Sequence, residues 1–155
     1  MARERTPLNG YVHIKAWEKQ ADGSEKLIKD DIIKNLIVTV GKDAILRYIS
    51  NITGGGYADD IGVGDSTTAA AVGQTDLQAS SNVLWKTIVT ADRVFLTPTL
   101  YLSVEFGYSE ANFTWNEMGL RDSQGTPVLW ARQIDASPLV KTSSKTAIVE
   151  WQLSM

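Results

Sequence analysis

Two stretches of the chain alternate apolar and polar residues with a period of two, and only an extended strand with one buried face repeats in that way. Across residues 100–106, Leu100, Leu102, Val104 and Phe106 fall on one face, and Ser103 and Glu105 fall on the other. Residues 147–153 repeat the pattern, with Ala147, Val149, Trp151 and Leu153 inward and Glu150 and Gln152 outward. Residues 83–91 and 128–134 alternate less regularly but are rich in Val, Ile, Thr and Trp, which suit a pleated surface. Near the start, residues 11–19 read as a strand, Asp22-Gly23 as a hairpin turn, and residues 27–34 as the returning strand.

One segment breaks this period. Val40, Ala44, Ile45, Tyr48 and Ile49 recur at three- and four-residue spacing, with Thr39 placed to cap the first turn. The helix so predicted ends before Asn51-Ile52-Thr53-Gly54-Gly55-Gly56, since successive glycines hold helical geometry poorly. Turns are predicted at Asp122-Ser123-Gln124-Gly125 and at a Ser137-Pro138 bend. One helix among many strands predicts a mainly-β fold: an antiparallel β-sandwich or barrel-like closure, with a short helix near residues 40–50. Residues 1–9, with Arg3, Glu4, Arg5 and Pro7, read as an exposed arm, and residues 10–155 as a single domain.

Composition narrows the function. The 155 residues are 43% hydrophobic and 21% charged, which suits a folded domain with one core. A net charge of −3 without basic and aromatic interleaving points away from nucleic acid. No long apolar run marks a membrane span and no apolar segment follows the N-terminal charges, so neither a membrane partner nor a signal peptide is expected. With no cysteine, thiolate chemistry is excluded.

The side chains suited to catalysis are sparse. The only histidine, His13, lies in a strand pattern without a neighbouring acid or nucleophile and reads as a strand-face residue. Gly62-Val63-Gly64 lacks the third glycine and the following helix of a dinucleotide site. Asp59, Asp60 and Asp65 have no EF-hand spacing and read as solvated turn carboxylates. Glu105, Glu110 and Glu117 supply acids for sugar hydrolysis only if the fold pairs two of them, and they read as structural or surface groups. Trp17, Trp85, Trp115, Trp130 and Trp151 raise a carbohydrate-binding alternative, which requires several indoles to be exposed. No catalytic residue, cofactor or metal is therefore expected.

The order of three segments resembles a family of bacteriophage virion proteins found in tail-fibre and baseplate-attachment domains and in small accessory structural proteins. Asn35-Leu36-Ile37-Val38-Thr39-Val40-Gly41 is similar to the family segment that opens a short helix. Ile61-Gly62-Val63-Gly64-Asp65-Ser66-Thr67-Thr68 through Thr75-Asp76-Leu77 is similar to its glycine-bearing strand and loop. Trp115-Asn116-Glu117-Met118-Gly119-Leu120 is similar to its later Asn-Glu-x-Gly-Leu element. The proline usual after the Thr pair is replaced here by Ala69 or Ala70.

The resemblance implies a non-enzymatic structural protein of the virion, assembled in the bacterial host cytoplasm. It would bind other virion proteins and copies of itself as a trimer or ring. A tail or baseplate component that attaches fibres is the leading expectation, and a capsid decoration protein that cements the head shell is the alternative. A carbohydrate-binding module for host adsorption is the alternative of another class. Arg3, Arg5, Pro7, Gly62, Gly64, Thr67, Thr68, Trp115, Asn116 and Glu117 are the expected protein-contact residues. In that reading Gly62 and Gly64 let another backbone approach, and residues 116–120 bend between strands while Asn116 and Glu117 bond free backbone groups.

Overall fold

Asp22 and Gly23 close the first hairpin, with Gly23 at a φ of 85° that favours glycine. Its arms begin the first of two antiparallel sheets in a computed structural model that describes residues 8–50 and 56–154. In chain order the strands are β1 (Asn9–Lys19), β2 (Glu25–Lys34), β3 (Leu36–Ile37), β4 (Asp60–Gly64), β5 (Val83–Thr87), β6 (Arg93–Leu96), β7 (Thr99–Phe106), β8 (Thr114–Asp122), β9 (Val128–Val140) and β10 (Lys145–Ser154). One helix, α1 (Thr39–Ile49), follows β3.

Sheet A has the order β2-β1-β10-β7-β6, and sheet B the order β3-β9-β8-β4-β5. The mainly-β sandwich expected from the alternation is therefore what the chain forms. Val12, Ile14 and Ala16 of β1, Leu102, Val104 and Phe106 of β7, and Ala147, Val149 and Trp151 of β10 turn inward from sheet A. They join Ile61 and Val63 of β4, Met118 and Leu120 of β8, and Ala131 of β9 in one apolar cluster. Each large side chain so buried contributes roughly 1.5–3 kcal/mol, and this inter-sheet core is the main source of stability. Phe106 of sheet A meets Trp115 of sheet B edge-on at 4.9 Å, which fixes how the two layers face each other.

Several boundaries differ from the expectation, each for a physical reason. Asn9, assigned to the arm, already pairs with Ser154 in β1. The strand expected over residues 83–91 stops at Thr87, and a short 3₁₀ turn at Thr90–Asp92 leads into β6. The helix takes Val38, not Thr39, as its N-cap, and the main-chain N–H of Thr39 donates to the Val72 carbonyl at 2.8 Å. Tyr48 and Ile49 are exposed, and of the expected stripe α1 buries Ala44, together with Gly41. A Cβ on Gly41 would lie 2.2 Å from the Trp130 carbonyl oxygen, so α1 rests directly on the backbone of β9.

Ser137 and Pro138 do not bend the chain between two strands. They lie inside β9, where the pairing with β8 steps from Ile134 opposite Glu117 to Leu139 opposite Trp115. A proline costs no ladder hydrogen bond in such a gap. The bulged stretch reaches sheet A instead: the Lys29 ammonium of β2 donates to the Ser137 carbonyl at 2.6 Å and forms an ion pair with the Asp135 carboxylate at 3.0 Å. The same irregularity lets Trp115 and Met118, three residues apart, both face the core.

Candidate functional site

Residues 116–120, expected as a bend, run straight through β8 in the middle of sheet B. Their polar side chains do bond backbone groups, as the sequence suggested, but those groups belong to the ribbon that leaves β4 and returns at β5. Asn116 Nδ2 donates to the Asp65 carbonyl at 2.7 Å. The Glu117 carboxylate accepts the main-chain N–H of Gln78 at 3.0 Å and that of Ala79 at 2.7 Å.

Arg132 on β9 completes this arrangement. Its Nε donates to Glu117 Oε2 at 2.6 Å, and both side chains are 0% exposed. One terminal nitrogen donates to Gln74 Oε1 at 2.9 Å, and the other to the Thr68 carbonyl at 2.8 Å. Gln74 in turn bonds the Ala71 N–H and the Ala69 carbonyl. A buried ion pair holds only when its remaining donors and acceptors are also satisfied. Here the ribbon backbone satisfies them, so the charges act as a clasp that straps the ribbon across sheet B.

The small residues of the ribbon fit this role. Leu77 is buried beneath it, whereas Thr67, Thr68, Ala69, Ala71 and Val72 stay exposed. Gly62 and Gly119 pair across β4 and β8 and make a shelf for the Trp85 indole. A Cβ on Gly62 would come within 2.5 Å of that ring, and one on Gly119 within 2.8 Å. The Arg121 guanidinium, paired with Asp60 at 2.9 Å, stacks on the Trp85 ring at 4.1 Å. The glycines expected to admit another backbone therefore admit an indole and, at Gly64, the Glu117 carboxylate of the same chain.

The expected contact residues thus divide by position. Gly62, Gly64, Trp115 and Glu117 are enclosed by the chain itself, and Asn116 is half-buried. Thr67 and Thr68 face solvent. Arg3, Arg5 and Pro7 lie outside the described residues. Arg132 was not singled out by sequence reasoning, although a lone charge in the apolar run Leu129-Trp130-Ala131 was a visible signal.

The remaining polar candidates are engaged locally. His13 Nε2 lies 2.6 Å from Asp30 across the first hairpin. Asp59 and Asp60 are not solvated turn carboxylates: both are buried, Asp59 accepting from Ser123 and Asp60 from Arg121 and Thr87. Glu110 bonds Lys86 at 2.6 Å and the Gly107 N–H at 2.7 Å, and these contacts hold its carboxyl below the usual range. Lys141, buried against the Gly107 carbonyl and Asn112, has its ammonium pKa lowered by burial. Among the described residues no group of three or more His, Asp or Glu is disposed to hold a metal ion. No described helix is long and apolar enough to cross a membrane.

No tryptophan is exposed. Trp115, Trp130 and Trp151 are buried, and Trp17 and Trp85 are half-buried. The large exposed apolar side chains lie elsewhere. β6 ends sheet A and, among the described residues, carries Val94, Phe95 and Leu96 in succession at an unpaired edge, Phe95 being 66% exposed. Leu46, Tyr48 and Ile49 form a second exposed apolar group on α1. No protein-family model, no curated protein and no solved structure matches the chain.

Proposed function

We propose that the protein is a non-enzymatic structural component of a bacteriophage virion that works by protein–protein contact, as a tail or baseplate part that helps attach fibres. The observation that carries this reading is the edge of sheet A, where Val94, Phe95 and Leu96 leave an apolar strand uncovered. An exposed apolar edge is a template for pairing with another chain, and soluble proteins ordinarily blunt it. Covering β6 with a copy of the same chain or a neighbouring virion protein satisfies both its apolar faces and its free backbone groups. Closed rings or trimers of such copies use that edge without leaving it open.

A second observation supports the same reading. The three segments that carry the virion resemblance are far apart in sequence yet meet in space. Gly62 and Gly64 pair with Gly119 and Glu117, Asn116 bonds the Asp65 carbonyl, and Arg132, which binds Glu117 and the Thr68 carbonyl, pairs with Leu36 of β3. What resembles the family is therefore one packed structural unit rather than scattered motifs.

The test is to label this chain with a tag or antibody and image virions that carry it. The proposal expects label on the particle at the tail or baseplate. Label over the head shell would transfer the chain to the decoration role, and a chain absent from particles would overturn the virion reading.

A further inference from the structure

Lys141, just past the end of β9, is only 1% exposed, yet among the described residues every hydrogen-bond partner of its ammonium is neutral. Its Nζ donates to the Gly107 carbonyl at 2.8 Å, to Asn112 Oδ1 at 3.0 Å and to the Thr142 carbonyl at 3.3 Å. Other enclosed cations are matched by acids: Lys29 meets Asp31 and Asp135, and Arg132 meets Glu117. An ammonium taken out of water with no carboxylate in contact is driven toward the neutral amine, which is its nucleophilic form. Burial lowers the Lys141 pKa, Glu110 opposes this through its charge, and Lys145 adds to it.

The carboxamide that this amine faces is held from several sides. Asn112 stands in the loop between β7 and β8 at the apex of a tight turn, where the Phe113 N–H donates to the Ala111 carbonyl at 2.8 Å. The Trp115 indole N–H donates to the same carbonyl at 2.8 Å, and Ala111 has a φ of 49°, a left-handed conformation that is costly outside glycine. Asn112 Nδ2 donates to the Tyr108 carbonyl at 3.0 Å, so both ends of the carboxamide are fixed. The main-chain N–H of Lys141 donates to the Phe113 carbonyl at 3.2 Å, which joins the two backbones that carry the pair. Asn112 Cγ lies one C=O bond of about 1.23 Å beyond Oδ1, so a shift on the order of an ångström brings Nζ to a reacting distance of about 3–3.5 Å. Asn112 also reaches solvent, which gives a small leaving group a way out.

We propose that Lys141 and Asn112 join in an intramolecular isopeptide bond within the folded chain. Nζ, as the amine, adds to Cγ of Asn112, the Cγ–Nδ2 bond breaks, and Nδ2 departs. Of the three hydrogens on the starting ammonium, one stays on the new amide and two leave with Nδ2 as an ammonium ion, so the step needs no oxidant, reductant or cofactor. The bridge ties the β7–β8 loop to the turn between β9 and β10.

Mass spectrometry of the full-length chain, incubated folded at neutral pH and then denatured, is the test. The expected result is a parent lighter than its sequence mass by one ammonia, with a branched tryptic peptide that joins the Asn112 segment to the Lys141 segment. Lys141→Arg and Asn112→Ala chains are expected at their own sequence masses. A parent found at its sequence mass would overturn the proposal whether or not the variants fold. An ammonia loss that persists in Lys141→Arg would overturn it too, because a succinimide at asparagine sheds the same mass without the lysine.

Discussion

The outer face of sheet B and the far edge of sheet A treat charge in opposite ways. On sheet B, Glu117 and Arg132 are fully enclosed, and between them they bind backbone or side-chain groups at Thr68, Gln74, Gln78 and Ala79. On sheet A, β6 leaves Val94, Phe95 and Leu96 in solvent with no charge among them. The opposite edge, β2, carries Lys26, Lys29, Asp30, Asp31 and Lys34 and is tied to β9 through Lys29 and Asp135. Glu117 and Arg132 therefore tie the chain to itself, whereas Val94, Phe95 and Leu96 stand uncovered at the edge of sheet A.

The strongest way to break the comparison is to remove one half of the clasp. Glu117→Gln leaves the Arg132 charge buried without its partner, and a loss of about 3–5 kcal/mol is expected in urea unfolding. Exchanging both members, Glu117→Gln with Arg132→Met, removes the stranded charge and is expected to recover part of that loss. If the single variant melted like the parent, the clasp would have no structural role.

A smaller effect is expected from the glycine shelf. Gly62→Ala or Gly119→Ala must displace the Trp85 ring, and about 1–3 kcal/mol of destabilisation with a change in tryptophan emission is the expected outcome. Acid should act more weakly still. Lys86 and the Gly107 N–H hold the Glu110 carboxyl below its ordinary 4.5, so the unfolded chain takes up this proton first as pH falls. The stability from this contact is whole above about pH 4.5 and is lost as pH drops through the lower folded value. Glu110 is partly exposed, so Glu110→Gln should flatten the acid limb of Tm against pH by only about 0.2–1 kcal/mol.

The architecture was largely legible in the sequence because its signal is local. The alternation in residues 100–106 and 147–153 marks β7 and β10, and Asp22-Gly23 marks the first hairpin. The clasp was not legible, because Glu117 holds residues that lie 38 and 39 positions away and no local window contains both partners. Asn116 and Gly119 imitate a turn by composition, yet one bonds the ribbon and the other makes room for Trp85. Ser137-Pro138 misleads in the same way: it marks a break in the pairing with β8, not the end of a strand. The buried Asp59 and Asp60 read as turn residues because Ser123 and Arg121, which bind them, are also distant in sequence.

The exposed edge carries the smallest expected effect on stability and the largest on association. Phe95→Asp removes a solvent-facing ring and should change the free energy of unfolding by no more than about 0.5 kcal/mol. Sedimentation velocity over a concentration series of the parent and Phe95→Asp chains therefore tests the central claim most directly. The account predicts a parent that moves to larger, discrete species as concentration rises, and a variant with unchanged Tm that stays monomeric. A parent that remains monomeric throughout, or a variant that associates as the parent does, would contradict it.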